Sequence, residues 1–344
     1  MRKEDYKVAL IVPVYNEHET IDTFLDTVYE KLASELNHLE IVFVDDGSKD
    51  DTVQIIREKQ EKDNRISLIC LSRNFGKEAA MSAALDLVQA DAVVPIDVDL
   101  QDPPELILEF IRIWRDENID DVYGVRTDRS KDTVTKRFSA EIFYYVFNKL
   151  ANRIHIPENV GDFRLIDRKI IDVLKHFSER KRFMKALYAW PGFSSKGVGY
   201  SRPERVAGRT KWNYWKLWNF ALDGIFSFTS LPLRVWSYIS GVVGVFALLF
   251  MGLIMVKTML FGQDVPGYSS IMCAILFLGG VQLISVCVLG EYICRLSSEA
   301  KERPVYIAKE VYGPLSAKLP SGLSKSEVGF SYNSNIDNNK QEKK

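Results

Sequence analysis

The stretch Pro95–Glu105, PIDVDLQDPPE, sets Asp97, Asp99, Gln101, Asp102 and Glu105 directly behind the apolar run ADAVVPI. That run reads as an interior strand of a parallel sheet. A carboxylate at the mouth of a buried strand loses hydration unless something positive meets it. Asp97 and Asp99, with the amide of Gln101, offer hard oxygen donors of the kind a divalent cation such as Mg²⁺ accepts. Mg²⁺ typically combines one or two carboxylates with the phosphates of a substrate. The expected chemistry is therefore a cation–diphosphate complex. Asp102 and Glu105 read instead as a solvated acidic turn, with Asp102 capping a helix that starts at the Pro-Pro pair.

The elements that must position these groups follow from the alternation around them. KVALIVPVY, LEIVFVDDGS, ISLICLS and DAVVPIDVD read as strands. EHETIDTFLDTVYEKLASEL, KDDTVQIIREKQEKD and KEAAMSAALDLVQ read as helices, the second opened by Ser48 or Asp50 as a cap. Such alternation predicts an α/β fold with a parallel, doubly wound sheet. Ligands of such sheets bind beyond the carboxyl ends of the strands. Tyr15 and Glu17 follow the first strand, Asp45 and Asp46 the second, Arg73 and Lys77 the third, Asp97 and Asp99 the fourth. Four loops on one edge make a site. With no G-x-x-x-x-G-K-[ST] and no G-x-G-x-x-G after a strand, it is neither a P-loop nor a dinucleotide fingerprint.

The net charge of −1 supplies no basic field for nucleic acid. Cys70, Cys273, Cys287 and Cys294 have no zinc or C-x-x-C spacing, which fits a reducing compartment. MRKEDYKVALIVPVYNE breaks at Pro13 and reads as a first strand rather than a signal peptide. Residues 235–256 and 265–290 carry no charge. Each is long enough to cross a hydrocarbon core of roughly 30 Å, so together they predict a two-helix transmembrane hairpin. The connector holds Lys257 and Asp264, whereas nine Lys or Arg lie from Arg295 to Lys344. The positive-inside rule then puts the N-terminal domain and the tail in the cytoplasm. Residues 133–150 and 212–230 read as interfacial amphipathic helices, with Trp212, Trp215, Trp218 and Phe220 just ahead of the first span. Gly241, Gly244, Gly279 and Gly280 permit close helix approach and a homo-oligomer. The polar end, SYNSNIDNNKQEKK, reads as disordered.

PVYNE, DDGSKDDT, RNFGKEAA, DVDLQDPPE, VGDFRL and RVAGRTKW occur in this order. With the two apolar spans they resemble the polyprenyl-phosphate glycosyltransferases, a branch of the inverting family 2 glycosyltransferases, over residues 6–305. The resemblance implies a GT-A fold, Rossmann-like with a mostly parallel sheet, and divides the chain in three. Residues 1–230 would form a cytoplasmic catalytic domain, residues 231–290 the transmembrane pair, and residues 291–344 a cytoplasmic tail.

It also implies a nucleotide-diphosphate sugar donor, Mg²⁺ or Mn²⁺, and a lipid phosphate acceptor. Pro13, Tyr15, Glu17 and Asp46 would line the nucleoside pocket, with Arg73, Lys77 and Asp97 also on the nucleotide. Asp97, Asp99 and Gln101 would hold the metal and diphosphate. Arg205, Arg209 and Lys211 would meet phosphates. Thr210 stands where Ser is usual in that loop. The catalytic set would be Asp99, Asp162, Arg205 and Lys211. Asp162 is either a base or acceptor-orienting group, or a structural carboxylate paired with Arg164. Absence of Q-x-x-R-W argues for one sugar per turnover.

The expected reaction transfers glucose from UDP-glucose to undecaprenyl phosphate, at the bacterial inner membrane, by a multi-pass homo-oligomer such as a tetramer. N-acetylglucosamine, GDP-mannose and a modified arabinose are the alternative donors. The competing class is a membrane-anchored nucleotide-sugar binding protein, which would need no assembly for a leaving group.

Overall fold

The computed structural model describes residues 5–127, 160–177, 179–180, 182, 184–201 and 267–317, with scattered positions between 238 and 260. The chain forms two compact units, Met1–Leu217 with Pro304–Lys344, and Trp218–Arg303. In chain order the elements are β1 (Val8–Val14), α1 (Ile21–Lys31), β2 (Leu39–Asp45), α2 (Thr52–Lys62), β3 (Ile66–Leu71), α3 (Lys77–Leu87), β4 (Ala92–Pro95) and α4 (Leu106–Asp116). They continue with β5 (Asp121–Arg126), β6 (Val160–Asp167), α5 (Arg168–Lys175), α6 (Met184–Ala189), β7 (Ser195–Tyr200), α7 (Tyr268–Ala300), β8 (Ala308–Tyr312) and α8 (Pro314–Ala317).

The first unit is built on one eight-stranded sheet of order β7-β5-β6-β4-β1-β2-β3-β8. β1 pairs in parallel with β2 and β4, β2 with β3, and β5 with β7. The sheet is thus mostly parallel, in keeping with the expected α/β fold of GT-A type. Three pairings depart from an all-parallel sheet: β6 runs antiparallel to β4 and β5, and β8 antiparallel to β3. β3 is buried at every position, apolar except for Ser67, as an interior strand requires. α3 packs on β1 and β2 and buries Ala79, Ala80, Ala83 and Ala84, small side chains that suit close approach to the sheet.

Two local expectations change. The fourth strand, expected to reach Asp99, stops at Pro95, which has no N–H to donate to the ladder. Only Ile96 still reaches β1, through a 3.0 Å bond to the Ile11 carbonyl. At the start of α2 the N-cap position falls to Asp51, whose side chain makes no capping bond, rather than to Ser48 or Asp50; Asp50 accepts from the Thr52 backbone N–H at 3.2 Å and from its hydroxyl at 2.6 Å. Ser48 instead accepts from the Asn16 N–H at 2.9 Å, tying two loops together.

In the second unit α7 is 33 residues, about 50 Å at 1.5 Å per residue. Its segment Phe277–Cys294 has a mean hydropathy of 1.7 and is not buried within the protein. Among the described residues it is the one helix long and apolar enough to cross a membrane. Of the first expected span, 235–256, only scattered positions are described. These are helical, with apolar side chains such as Val242, Phe246 and Leu249 exposed. Ser240 lies 2.9 Å from Ser285 of α7, hydroxyl to hydroxyl. The expected interfacial helices at 133–150 and 212–230, and the polar end beyond Ala317, lie outside the described residues.

The tail expected from residue 291 onward is different in kind. α7 continues to Ala300, and Ala308–Tyr312 then returns to pair with β3. The charges that made this stretch read as a tail do not disclose a strand whose partner lies far away in sequence.

Candidate active site

The register of the parallel strands places Val14, Asp45 and Cys70 in one row, so the loops that follow them leave from the same edge. The first loop turns through Asn16, whose φ is +53°, a conformation Asn tolerates better than most residues. Its amide oxygen accepts from the Lys49 N–H at 2.8 Å, and the Thr52 hydroxyl accepts from the Glu17 N–H at 3.0 Å. Tyr15 and Glu17 are therefore held on a loop cross-tied to the one after β2, and the half-buried Pro13 sits one residue from the end of β1.

Asp45 and Asp46 are both buried, and both carboxylates are spent on backbone. Asp45 accepts from the Gly47 and Ser48 N–H groups at 3.2 and 3.1 Å. Asp46 accepts from Phe75 at 2.6 Å and Gly76 at 2.9 Å. Burial raises the Asp46 pKa against the pull of those two donors. Gly47 is needed here. Its φ is +73°, and a Cβ would stand 2.6 Å from the Arg73 carbonyl carbon. Arg73 is exposed on the facing loop, its guanidinium 4.0 Å over the Phe75 ring. Asp46 thus fixes the loop that carries Arg73 and leads into Lys77.

The acidic turn meets that loop. Counting the antiparallel register on from Val93↔Ile166 brings Asp162 level with Asp97. Lys77, the first residue of α3, stands between them, its Nζ 2.6 Å from Asp97 Oδ1 and 3.4 Å from Asp162 Oδ2. Burial works against the Lys77 charge, but Asp97 and Asp162 outweigh it and its pKa is raised. Asp162 is lowered, because Lys77, Lys185 and Arg164 together overcome the desolvation that would raise it. Its expected alternative, a structural pair with Arg164, is not formed. Arg164 Nη1 donates to Asp121 at 2.9 Å instead, with the guanidinium 4.7 Å over the Tyr188 ring. Asp99 accepts from the Gln101 N–H at 3.2 Å across Leu100, whose φ of +55° is strained for a leucine. Asp102 is not a solvated helix cap. It is buried and accepts from the Tyr200 hydroxyl at 2.5 Å.

Sequence reasoning passed over Tyr200, Tyr188 and Glu78. Nothing local marks the two tyrosines, but a Glu opening the Ala-rich α3 was a visible anomaly. Glu78 accepts from the Met184 N–H at 3.3 Å, tying α3 to α6. Burial first, then the nearby Asp162 charge, pushes its pKa from the usual 4.5 to about 8. Between those values the folded protein keeps a proton that the unfolded chain has lost, so stability falls as pH rises through this window. Glu78→Gln should flatten that fall. Melting at about pH 5 and about pH 8 checks it, and an unchanged difference between the two melting temperatures counts against the buried acid.

The donor set suits a hard cation. Asp97 and Asp99 flank one turn, Gln101 adds an amide, and the Asp97 carboxylate is 37% exposed, within reach of a ligand. Among the described residues no three His, Cys, Asp or Glu side chains group closely enough to hold a metal unaided. Arg205, Arg209 and Lys211 lie outside the described residues. The segment leading to them starts at Tyr200, which Asp102 fixes to the acidic turn.

Residues 9–174 match the family described as Glycosyl transferase family 2. The chain is 47% identical over 307 residues to an uncharacterized glycosyltransferase of Synechocystis, spanning 89% of this chain and 96% of that one. It is 48% identical over 305 residues to the prophage bactoprenol glucosyl transferase homolog of Escherichia coli, spanning 89% and 99%. The bactoprenol glucosyl transferase of Shigella phage SfV is 48% identical over 303 residues, spanning 88% and 98%.

Proposed function

This chain belongs to glycosyl transferase family 2, and we propose that it transfers one glucose from UDP-glucose to undecaprenyl phosphate at the cytoplasmic face of a bacterial inner membrane. The observation that carries this reading is the meeting of Asp97 and Asp162 at Lys77 beyond the carboxyl edge of the sheet, with Asp99 two residues on in the same acidic turn. Near-full-length relatives named as bactoprenol glucosyl transferases support the choice of sugar and acceptor.

In the reaction, an oxygen of the acceptor phosphate attacks the anomeric carbon, the bond from that carbon to the diphosphate breaks, and UDP leaves. Attack from the opposite face inverts the anomeric centre. Asp97, Asp99 and Gln101 would hold Mg²⁺ or Mn²⁺, which when bound neutralises charge on the departing diphosphate. Arg205, Arg209 and Lys211 would stabilise the same charge as it develops. The acceptor phosphate, with a second pKa of about 6, is already largely dianionic near neutral pH and needs no base. An ionised Asp162 held by Lys77 is therefore assigned to orienting rather than deprotonating. Tyr15, Glu17 and Pro13 would face the nucleoside, with Asp46 acting through the loop it fixes.

The membrane reading has its own support. β8 lies in the same sheet as β1–β3, so the chain returns to the side it left. If α7 crosses, an odd number of further crossings must precede it. The uncharged 235–256, bonded to α7 through Ser240, is the segment suited to that, which gives the hairpin. A reporter after Lys344 should read cytoplasm and one near Gln263 the opposite side; agreement of the two would sink the hairpin. Homo-oligomerisation through small residues such as Gly279 and Gly280 belongs to the same proposal, and native mass spectrometry in mild detergent checks it.

The deciding experiment is incubation of the purified protein with radiolabelled UDP-glucose and undecaprenyl phosphate. Label should pass to the lipid fraction as a β-linked monosaccharide. Transfer only from another sugar nucleotide would reassign the donor. Binding without transfer from any donor would make the protein a nucleotide-sugar sensor.

A further inference from the structure

Lys77 is tightly constrained at this edge. Its backbone follows Gly76, at φ +99°, and the Asp46 carboxylate pins the Phe75 and Gly76 N–H groups just ahead of it. Its Nζ is shared by two carboxylates from different elements, Asp97 after β4 and Asp162 on β6. Among the described residues Asp162 Oδ1 is buried with no hydrogen-bond partner, so Asp162 has acceptor capacity left to offer a shifted Nζ.

We propose that Lys77 is a positioning residue that competes with the divalent cation for Asp97 and thereby makes cation and nucleotide bind as one unit. This rests on the reading that Asp97 and Asp99 hold the cation. A cation on Asp97 meets a lysine already occupying one of the carboxylate oxygens. Two positive centres about 4 Å apart repel appreciably even at the protein surface. Cation alone must therefore displace Nζ toward Asp162 with only one of its two carboxylates left to neutralise it. When the diphosphate arrives with the cation, its charge serves both centres, and Nζ can turn from Asp97 to Asp162 and a phosphate oxygen. The lysine thus penalises the cation without nucleotide and rewards the pair. Such coupling is reciprocal, so nucleotide affinity gains from the cation by the same factor.

The test is Mn²⁺ binding to the purified full-length protein, read by the loss of the free-ion paramagnetic resonance signal, with and without UDP. For Lys77→Met, Mn²⁺ alone should bind about tenfold or more tightly than to wild type, and the factor by which UDP tightens it should shrink correspondingly. Lys77→Met leaves two carboxylates facing each other. Lys77→Met/Asp162→Asn, compared with Asp162→Asn, removes that strain and should show the same gain. Equal or weaker Mn²⁺ binding in both comparisons overturns the proposal. A wild type that binds no Mn²⁺ even with UDP overturns the cation site itself, a different failure, and the proposal with it.

Discussion

Asp99→Asn should lower turnover by about 10²–10³-fold, the usual consequence of losing one preorganised stabiliser of developing charge. The substitution is chosen for what it leaves. Asn retains an oxygen to accept from the Gln101 N–H, the 3.2 Å bond that closes the turn over Leu100. The strained φ of Leu100 is therefore still supported, and the melting temperature should move little. In the proposed mechanism what disappears is a negative charge beside the departing diphosphate. Chelation by EDTA should produce a loss of similar size in wild type and add little in the variant, since both act on one assembly. Turnover near the wild-type value, either in Asp99→Asn or in wild type under EDTA, would remove the metal from the mechanism. A collapse of the melting temperature would show instead that Asp99 is a structural residue of the turn.

The parts of this site that were legible in the sequence are those set by local periodicity. Apolar runs alternating with amphipathic segments located β1 to β4, and with them the edge at which Tyr15, Asp46, Lys77 and Asp97 gather. Roles that depend on non-local pairing were not legible. Asp46 reads as a ligand-facing carboxylate because it ends a strand, yet its partners are backbone N–H groups 29 and 30 residues away. Asp162 reaches Asp97 only through the antiparallel β4–β6 register, which no stretch of either strand encodes alone. Asp102 reads as a helix cap because Pro-Pro follows it, but a tyrosine 98 residues on claims it. In each case the partner that compensates the carboxylate comes from a remote segment. The second unit shows the converse. Its uncharged composition is plain in the sequence, whereas the return of the chain into the sheet depends on pairing with β3.

That return gives the second large effect. Ending the chain at Arg303 should destroy the first unit's cooperative fold, whereas ending it at Ala317 should leave melting unchanged. β8 covers what would otherwise be an open edge of β3, a strand buried at all six positions. Ahead of it Tyr306, 2% exposed, donates its hydroxyl to Asp86 of α3 at 3.0 Å. Beyond it Gly313, at φ +83°, turns where a Cβ would meet the Ile66 carbonyl at 2.4 Å, and the Leu315 N–H then donates to the Ser67 hydroxyl at 3.2 Å. A milder probe is Tyr306→Ala, which empties a fully buried aromatic site and should cost about 3–5 kcal/mol. Tyr306→Phe deletes only the hydrogen bond and should cost about 1–3 kcal/mol, since it leaves the half-buried Asp86 without that donor. The consequence reaches the active edge. The Ile307 carbonyl accepts from the Ser72 N–H at 2.9 Å, one residue before Arg73. Loosening the return strand should therefore weaken UDP-glucose binding before it unfolds the protein. Calorimetry of UDP-glucose binding beside thermal melting separates the two. A chain ending at Arg303 that melts and binds like the full chain would show that the strand only decorates the sheet.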